Sequence, residues 1–332
     1  MLSQWFKVNA NFIAFFFGLS CCVIPSTSSP KHTISNGMIV ADLYLVDPEN
    51  GYYCGTRFDW AGVFSGLRYK GHTFFGQWST AYAATNNDAV IGPVESFSPI
   101  GYNDAKQGKT FVVIGVGVLR KKSDTPYKPK ELYKIVDGGI WTVRRGKNAI
   151  VYQHTLHDAS GYAYLYTKTV SLIRGEPKMV LKHSLKNIGK RPIVTDVFDH
   201  NFPVIDNQPT GPAIKIKFRG NVKATGKWWG TNAVIHGNTL SFLKVLQGNE
   251  WLQCDSLTGF GNDALDYDFK MENHQTGAGI RATSDQPLKK VVFWACATTA
   301  CPEPYIKITV APGQTLNWTI TYEFYTFTPD AN

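Results

Sequence analysis

From residue 35 to 327 the chain is a succession of short apolar runs, rich in Val, Ile, Tyr, Phe and Thr, cut by Gly, Asn, Asp and Pro. Runs of this length and composition, alternating with polar positions at period two, predict half-buried β-strands. The stretch 162–170, Tyr-Ala-Tyr-Leu-Tyr-Thr-Lys-Thr-Val, alternates most plainly. Strands are predicted at 38–46, 111–119, 149–156, 163–173, 178–187, 193–198, 213–218, 291–297, 306–310 and 315–327. Turn residues such as Asp137-Gly138-Gly139, Arg174-Gly175-Glu176-Pro177 and Pro312-Gly313 separate them at hairpin spacing. Only one short stretch, 129–136, reads as a candidate helix. With no linker and no repeat, the pattern predicts an all-β chain folded as one large antiparallel sandwich, not two domains, a barrel or a propeller.

The amino terminus differs. Lys7 is the sole charge before Lys31, and residues 12–20 form an apolar run. That run is too short to span a bilayer but suits the core of a signal peptide. Leu19-Ser20-Cys21 resembles a lipoprotein cleavage box, with Gly18 where Leu is usual, so lipid attachment at Cys21 stands against plain secretory cleavage. The expected layout is a signal peptide over 1–21, a flexible Ser/Thr/Pro tether over 22–34 and a β-domain over 35–332. An exported protein is implied, periplasmic or anchored to the cell envelope, touching a membrane only through Cys21. Beyond Cys21 and Cys22 come Cys54, Cys254, Cys296 and Cys301, with no C-x-x-C pair to suggest a zinc ribbon. Cys296 and Cys301 are close enough in sequence to bridge in an oxidising compartment, with free thiols as the alternative.

Composition narrows the function. Of 332 residues, 43% are apolar and 18% charged, which excludes disorder and coiled coil and allows a large core without a metal. The formal charge is +9, but Arg120-Lys121-Lys122, Arg144-Arg145 and Lys289-Lys290 are short and scattered, so no nucleic-acid surface is indicated. Serine-nucleophile, P-loop, zinc-protease and EF-hand signatures are absent. Gly115-Val116-Gly117 lacks the third glycine and the helix start of a dinucleotide loop and reads as a glycine-bearing strand. Neither a cofactor nor a metal is implied.

Four stretches carry candidate chemistry. Residues 51–62 form an aromatic-rich turn with Arg57, Asp59 and Trp60. On an extended chain Arg57 and Asp59 share a face, as an ion pair or as a clamp on a hydroxylated ligand. Residues 92–97 place Glu95 in a loop, and 197–206 place His200 and Asn201 at a strand end. In Cys301-Pro302-Glu303-Pro304-Tyr305 a carboxylate lies between two prolines, in a rigid loop just before the strand 306–310. The prolines fix φ and remove two amide donors, so Glu303 is held stiffly with little to stabilise its charge.

His200-Asn201-Phe202, Glu303, Pro312-Gly313 and Tyr322-Glu323-Phe324 together resemble the galactose mutarotase (aldose 1-epimerase) superfamily over about residues 190–327, and exported bacterial members in particular. The resemblance implies a galactose mutarotase-like β-supersandwich and a mono- or oligosaccharide partner. It implies Glu303 as base on the anomeric hydroxyl and His200 as acid on the ring oxygen. The family usually carries an earlier sugar-binding His in an H-G context, which His72, His154 and His157 do not reproduce. Glu95 or Arg57 stands in for it, with Asp59, Trp60 and Asn201 as further binding candidates. Two alternatives stay open: a non-catalytic saccharide-binding sandwich, and a polysaccharide lyase or hydrolase on the same fold. A hydrolase needs two placed carboxylates, for which Glu95 and Glu303 are the candidates.

Overall fold

The alternation in the sequence reappears as alternation in burial. Along Ala163–Leu172, Tyr164, Tyr166, Lys168, Val170 and Leu172 are buried and the residues between them lie nearer the surface. The computed structural model describes residues 29–79, 81–229 and 232–330, and apart from two single-turn 3-10 segments every element in them is a β-strand.

Two large sheets dominate, and every strand pair in them is antiparallel. One has ten strands, with Ala278–Ser284, Thr315–Thr326, Lys178–Asn187 and Ala163–Leu172 side by side near its middle. The other has six, in the order Lys223–Trp229, Trp251–Thr258, Lys290–Cys296, Thr299–Val310, Ile193–His200 and Val94–Phe97. They pack face to face: Phe97 of the six-stranded sheet meets Tyr166 and Trp318 of the ten-stranded one edge-on, at 5.6 and 6.3 Å. Fully buried Met179, Leu181, Ile193 and Ile308 fill the interface, each contributing roughly 1.5–3 kcal/mol by leaving water. A four-stranded sheet, Lys31–Ser35 to His72–Phe75, and a three-stranded one, Thr110–Val113 to Lys134–Asp137, complete the structure.

Several boundaries differ from the sequence reading. Residues 31–34, assigned to the tether, belong to Lys31–Ser35, which pairs with Ile39–Tyr44. The signal segment and Cys21 lie outside the described residues. No helix forms at 129–136: the chain turns and continues as Lys134–Asp137. Tyr133 there stacks on Tyr127 at 5.4 Å and meets Phe111 edge-on at 5.2 Å. The run 111–119 is a hairpin of Thr110–Val113 with Gly117–Arg120. At its turn Gly115 has φ 76°, and a Cβ there would come within 2.4 Å of Asp59 Oδ1, so only glycine fits. Cys54, Cys296 and Cys301 carry free thiols. Cys296 lies opposite Thr299 and Cys301 opposite Trp294, so the two cysteines are not cross-strand partners.

Candidate active site

Antiparallel register brings His200 and Glu303 together from distant parts of the chain. Phe198 lies opposite Tyr305, and two residues further along each strand His200 comes opposite Glu303. On the other flank Val292 lies opposite Glu303 and Trp294 opposite Cys301, and Gln253 lies opposite Trp294. Side chains two apart on a strand share a face, so His200, Glu303, Trp294 and Gln253 all point to the same side. They line a cleft of about 370 Å³, to which loops add Arg57, Trp78, Asp88 and Lys130.

The prolines flanking Glu303 lie inside the strand Thr299–Val310, where the sequence suggested a loop. Pro302 is opposite Phe293 and Pro304 opposite Val291. Neither has an N–H to offer the His200 strand, and the backbone ladder on that side stops at Phe198–Tyr305. A side chain takes over: Asn201 Nδ2 donates to Pro302 O at 2.9 Å, and Asn201 Oδ1 accepts from Tyr322 OH at 2.8 Å. The sheet thus loosens where the imidazole meets the carboxyl group.

His200 Nε2 is 3.3 Å from Glu303 Oε1, and both side chains are buried. The imidazole lies flat on Phe202, centroids 3.6 Å apart, and Phe202 lies flat on Trp78 at 4.7 Å. Phe202 takes this place with φ 42°, a left-handed conformation that costs a bulky residue energy and that surrounding packing must hold. Its amide donates to Cys301 Sγ at 3.2 Å.

Burial raises Glu303 to about 7, against the opposing charges of Arg57 and Lys290. Burial, and then the charge of Arg57, hold His200 well below the usual imidazole range. Below about pH 7 the pair therefore carries one proton, resting on the carboxyl, with a neutral imidazole in contact. One group can then accept a proton while the other donates one. Arg57 pairs with Asp88 and lies 4.6 Å over the ring of Phe58.

Of the residues singled out in the sequence, Arg57, His200 and Glu303 line the cleft, whereas Asp59, Trp60, Glu95 and Asn201 do not. Residues 45–63 form turns and bends without a strand, so the shared face expected of Arg57 and Asp59 does not arise. Asp59 turns inward, accepting from Tyr166 OH at 3.0 Å and from the Ala61 amide at 2.9 Å. Trp60 is buried and donates to Gly55 O at 2.8 Å.

Glu95 lies in the strand Val94–Phe97, opposite Asp199. It therefore shares the face of Asp199, the reverse of the one bearing His200. Between the sheets it meets Lys168 and, at 2.6 Å, His183 Nε2. Burial pushes the Glu95 carboxyl up, but Lys168 and His183 outweigh it and hold it below its ordinary value. A sheet thus separates Glu95 from Glu303, and the two cannot flank one glycosidic bond.

The early histidines are also elsewhere: His72 bonds Asp206 at 2.8 Å, His154 stacks on Trp141 at 4.1 Å, and His157 is exposed. Sequence reasoning missed Trp78, Phe202 and Trp294 as cleft residues. Trp294 was within reach of it, because a hairpin turn at 297–298 sets its parity with Glu303.

Comparison with solved structures identifies the architecture. A galactose mutarotase-like protein from Clostridium acetobutylicum superposes with a TM-score of 0.56 at 12% identity, over 89% of this chain and 95% of its own. The galactose mutarotase related enzyme from Lactobacillus acidophilus gives 0.55 at 12% identity, over 91% and 99%. The GalM/aldose epimerase homologue from C. elegans gives 0.53 at 11%, over 90% and 99%. No family model and no curated protein matches the sequence. The chain has the galactose mutarotase-like β-sandwich fold.

Proposed function

We propose that the cleft binds the anomeric end of a sugar and interconverts its anomers, with Glu303 as base and His200 as acid. The observation behind this reading is the 3.3 Å contact between imidazole and carboxyl, buried in a cleft with aromatic walls. In a cyclic sugar the anomeric hydroxyl oxygen and the ring oxygen are bonded to one carbon. A base for the first and an acid for the second must sit side by side, as these groups do.

At rest the shared proton sits on Glu303, and its uphill transfer across the 3.3 Å contact to His200 Nε2 makes the carboxylate base and the imidazolium acid that the reaction uses. Glu303 takes the anomeric hydroxyl proton while His200 protonates the ring oxygen, and the bond from that oxygen to the anomeric carbon breaks. The open-chain aldehyde rotates, and the steps reverse onto its other face. Trp294, Phe198 and Tyr305 offer flat surfaces to sugar C–H groups, and Arg57, Gln253 and Lys290 bind hydroxyls. Structural likeness to proteins described as mutarotase-related and aldose epimerase-like supports the reading at the level of fold.

The test is exchange NMR or polarimetry on freshly dissolved glucose, galactose, mannose and xylose. Wild type is expected to speed anomer exchange. Glu303→Gln, which keeps shape but accepts no proton, is expected to lose about 10²–10⁴-fold in rate with affinity within a few-fold. Equal rates for wild type and Glu303→Gln overturn the assignment. Sugar binding without any acceleration makes the protein a saccharide binder.

A further inference from the structure

We propose that the cleft continues into a second sugar subsite between Trp294 and Trp251, and that the ligand is an oligosaccharide entering by its reducing end. This rests on the sugar reading above and names its substrate class. A second cavity of about 360 Å³ adjoins the first and shares Trp78, Lys130, Gln253 and Trp294 with it. Its far side is formed by Trp251 and by Asn249 and Glu250 of the preceding turn.

Sheet register explains the arrangement. Trp251 and Gln253 lie two apart on one strand, opposite Cys296 and Trp294 on the next. Trp251 and Trp294 are therefore diagonal neighbours on one face, about 7–8 Å apart at the backbone. One pyranose ring can reach from the first indole to the second. Trp251 is 49% exposed at the cavity edge. Trp78 stands across Trp294 at 76°, their centroids 5.5 Å apart, and closes the side nearer His200.

The chemistry of the walls selects the ligand. Indoles take the apolar faces of sugar rings, and polar groups among them take the hydroxyls. The polar groups here are already oriented: Gln253 Nε2 donates to Asp255 Oδ1 at 2.5 Å, and Glu250 is fixed by Lys244 at 2.5 Å and the Gln247 amide at 2.9 Å. Asp88, Asp255 and Glu250 are balanced by Arg57, Lys130 and Lys290 in the same lining, so the walls offer no net charge to a polyanion, and the carboxylate and amide oxygens keep lone pairs that a ligand's hydroxyls can use. A neutral glycan satisfies both kinds of wall. The first cavity alone accommodates a single sugar at His200 and Glu303, so only a longer chain uses the second. An oligosaccharide has one free anomeric carbon, and with that end at His200–Glu303 the remaining residues extend toward Trp251.

The experiment compares glucose, galactose, mannose and xylose with their α- and β-1,4-linked di- and trisaccharides, reading affinity by calorimetry and anomer exchange by NMR. In the productive series the disaccharide is expected to bind roughly three- to tenfold tighter than the monosaccharide, the scale of one added aromatic stack. Trp251→Ala is expected to reduce this gain to less than about twofold, and Trp251→Phe to restore most of it, with unchanged circular dichroism as the control for folding. Monosaccharide binding or turnover without any gain from added residues refutes the second subsite and leaves the sugar reading standing. So does a Trp251→Ala protein that is folded and keeps the full gain. Failure of every sugar to bind or exchange overturns the sugar reading and this inference with it.

Discussion

Burial sets the chemistry of Glu303. Its flanking prolines, legible in the sequence, announced a stiff carboxylate with few donors. Burial, which the prolines do not reveal, raises its pKa to about 7, and its place inside a strand was not legible either, because prolines in isolation read as loop formers. The shift fixes a pH dependence. A carboxyl whose pKa is raised keeps its proton until the pH passes about 7, and the second proton, on His200, is added only well below the usual imidazole range. The pair is competent with one proton, so enzymic anomer exchange is expected to be high from mildly acid pH to about 7 and to fall about tenfold per unit above it. A pH–rate profile measured from 5 to 9 checks this, and a rate that holds level or climbs from 7 to 9 contradicts it.

Strand parity decides which residues reach the site. His200 and Asp199 are adjacent in sequence yet serve opposite faces of one sheet, and Glu95 follows Asp199. The sequence placed Glu95 in a loop, whereas it lies in the strand Val94–Phe97, and which face it serves depends on its pairing with the Ile193–His200 strand, which no local pattern states. Lys168 is the reverse case. It occupies an inward position of the most regular alternation in the chain, among Tyr164, Tyr166 and Val170, and its burial could have been read from that phase.

Across the interface Lys168 pairs with Glu95 and donates to Ala61 O at 3.0 Å. Removing one partner of a buried ion pair strands the other charge. Lys168→Met is therefore expected to cost about 3–5 kcal/mol in urea unfolding, and adding Glu95→Gln to recover a large part of that loss. A Lys168→Met protein within about 1 kcal/mol of wild type contradicts the role given to this pair in joining the sheets.

At the scale of the molecule, the sandwich was legible because alternation and hairpin turns recur along the whole chain. The strands 178–187 and 315–327 were placed to within a residue of Lys178–Asn187 and Thr315–Thr326. The cleft was legible only in part. Its floor follows from register between strands far apart in sequence, and Arg57, Trp78 and Lys130 arrive on segments with no periodic signal. A crystal soaked with a mixture of monosaccharides shows whether a sugar's anomeric carbon sits between His200 and Glu303. The expected result is a pyranose in the cleft with its anomeric hydroxyl facing Glu303 and its ring oxygen facing His200, each within about 3.2 Å. A sugar bound with its anomeric carbon turned away from this pair, or bound elsewhere with the cleft left empty, contradicts it.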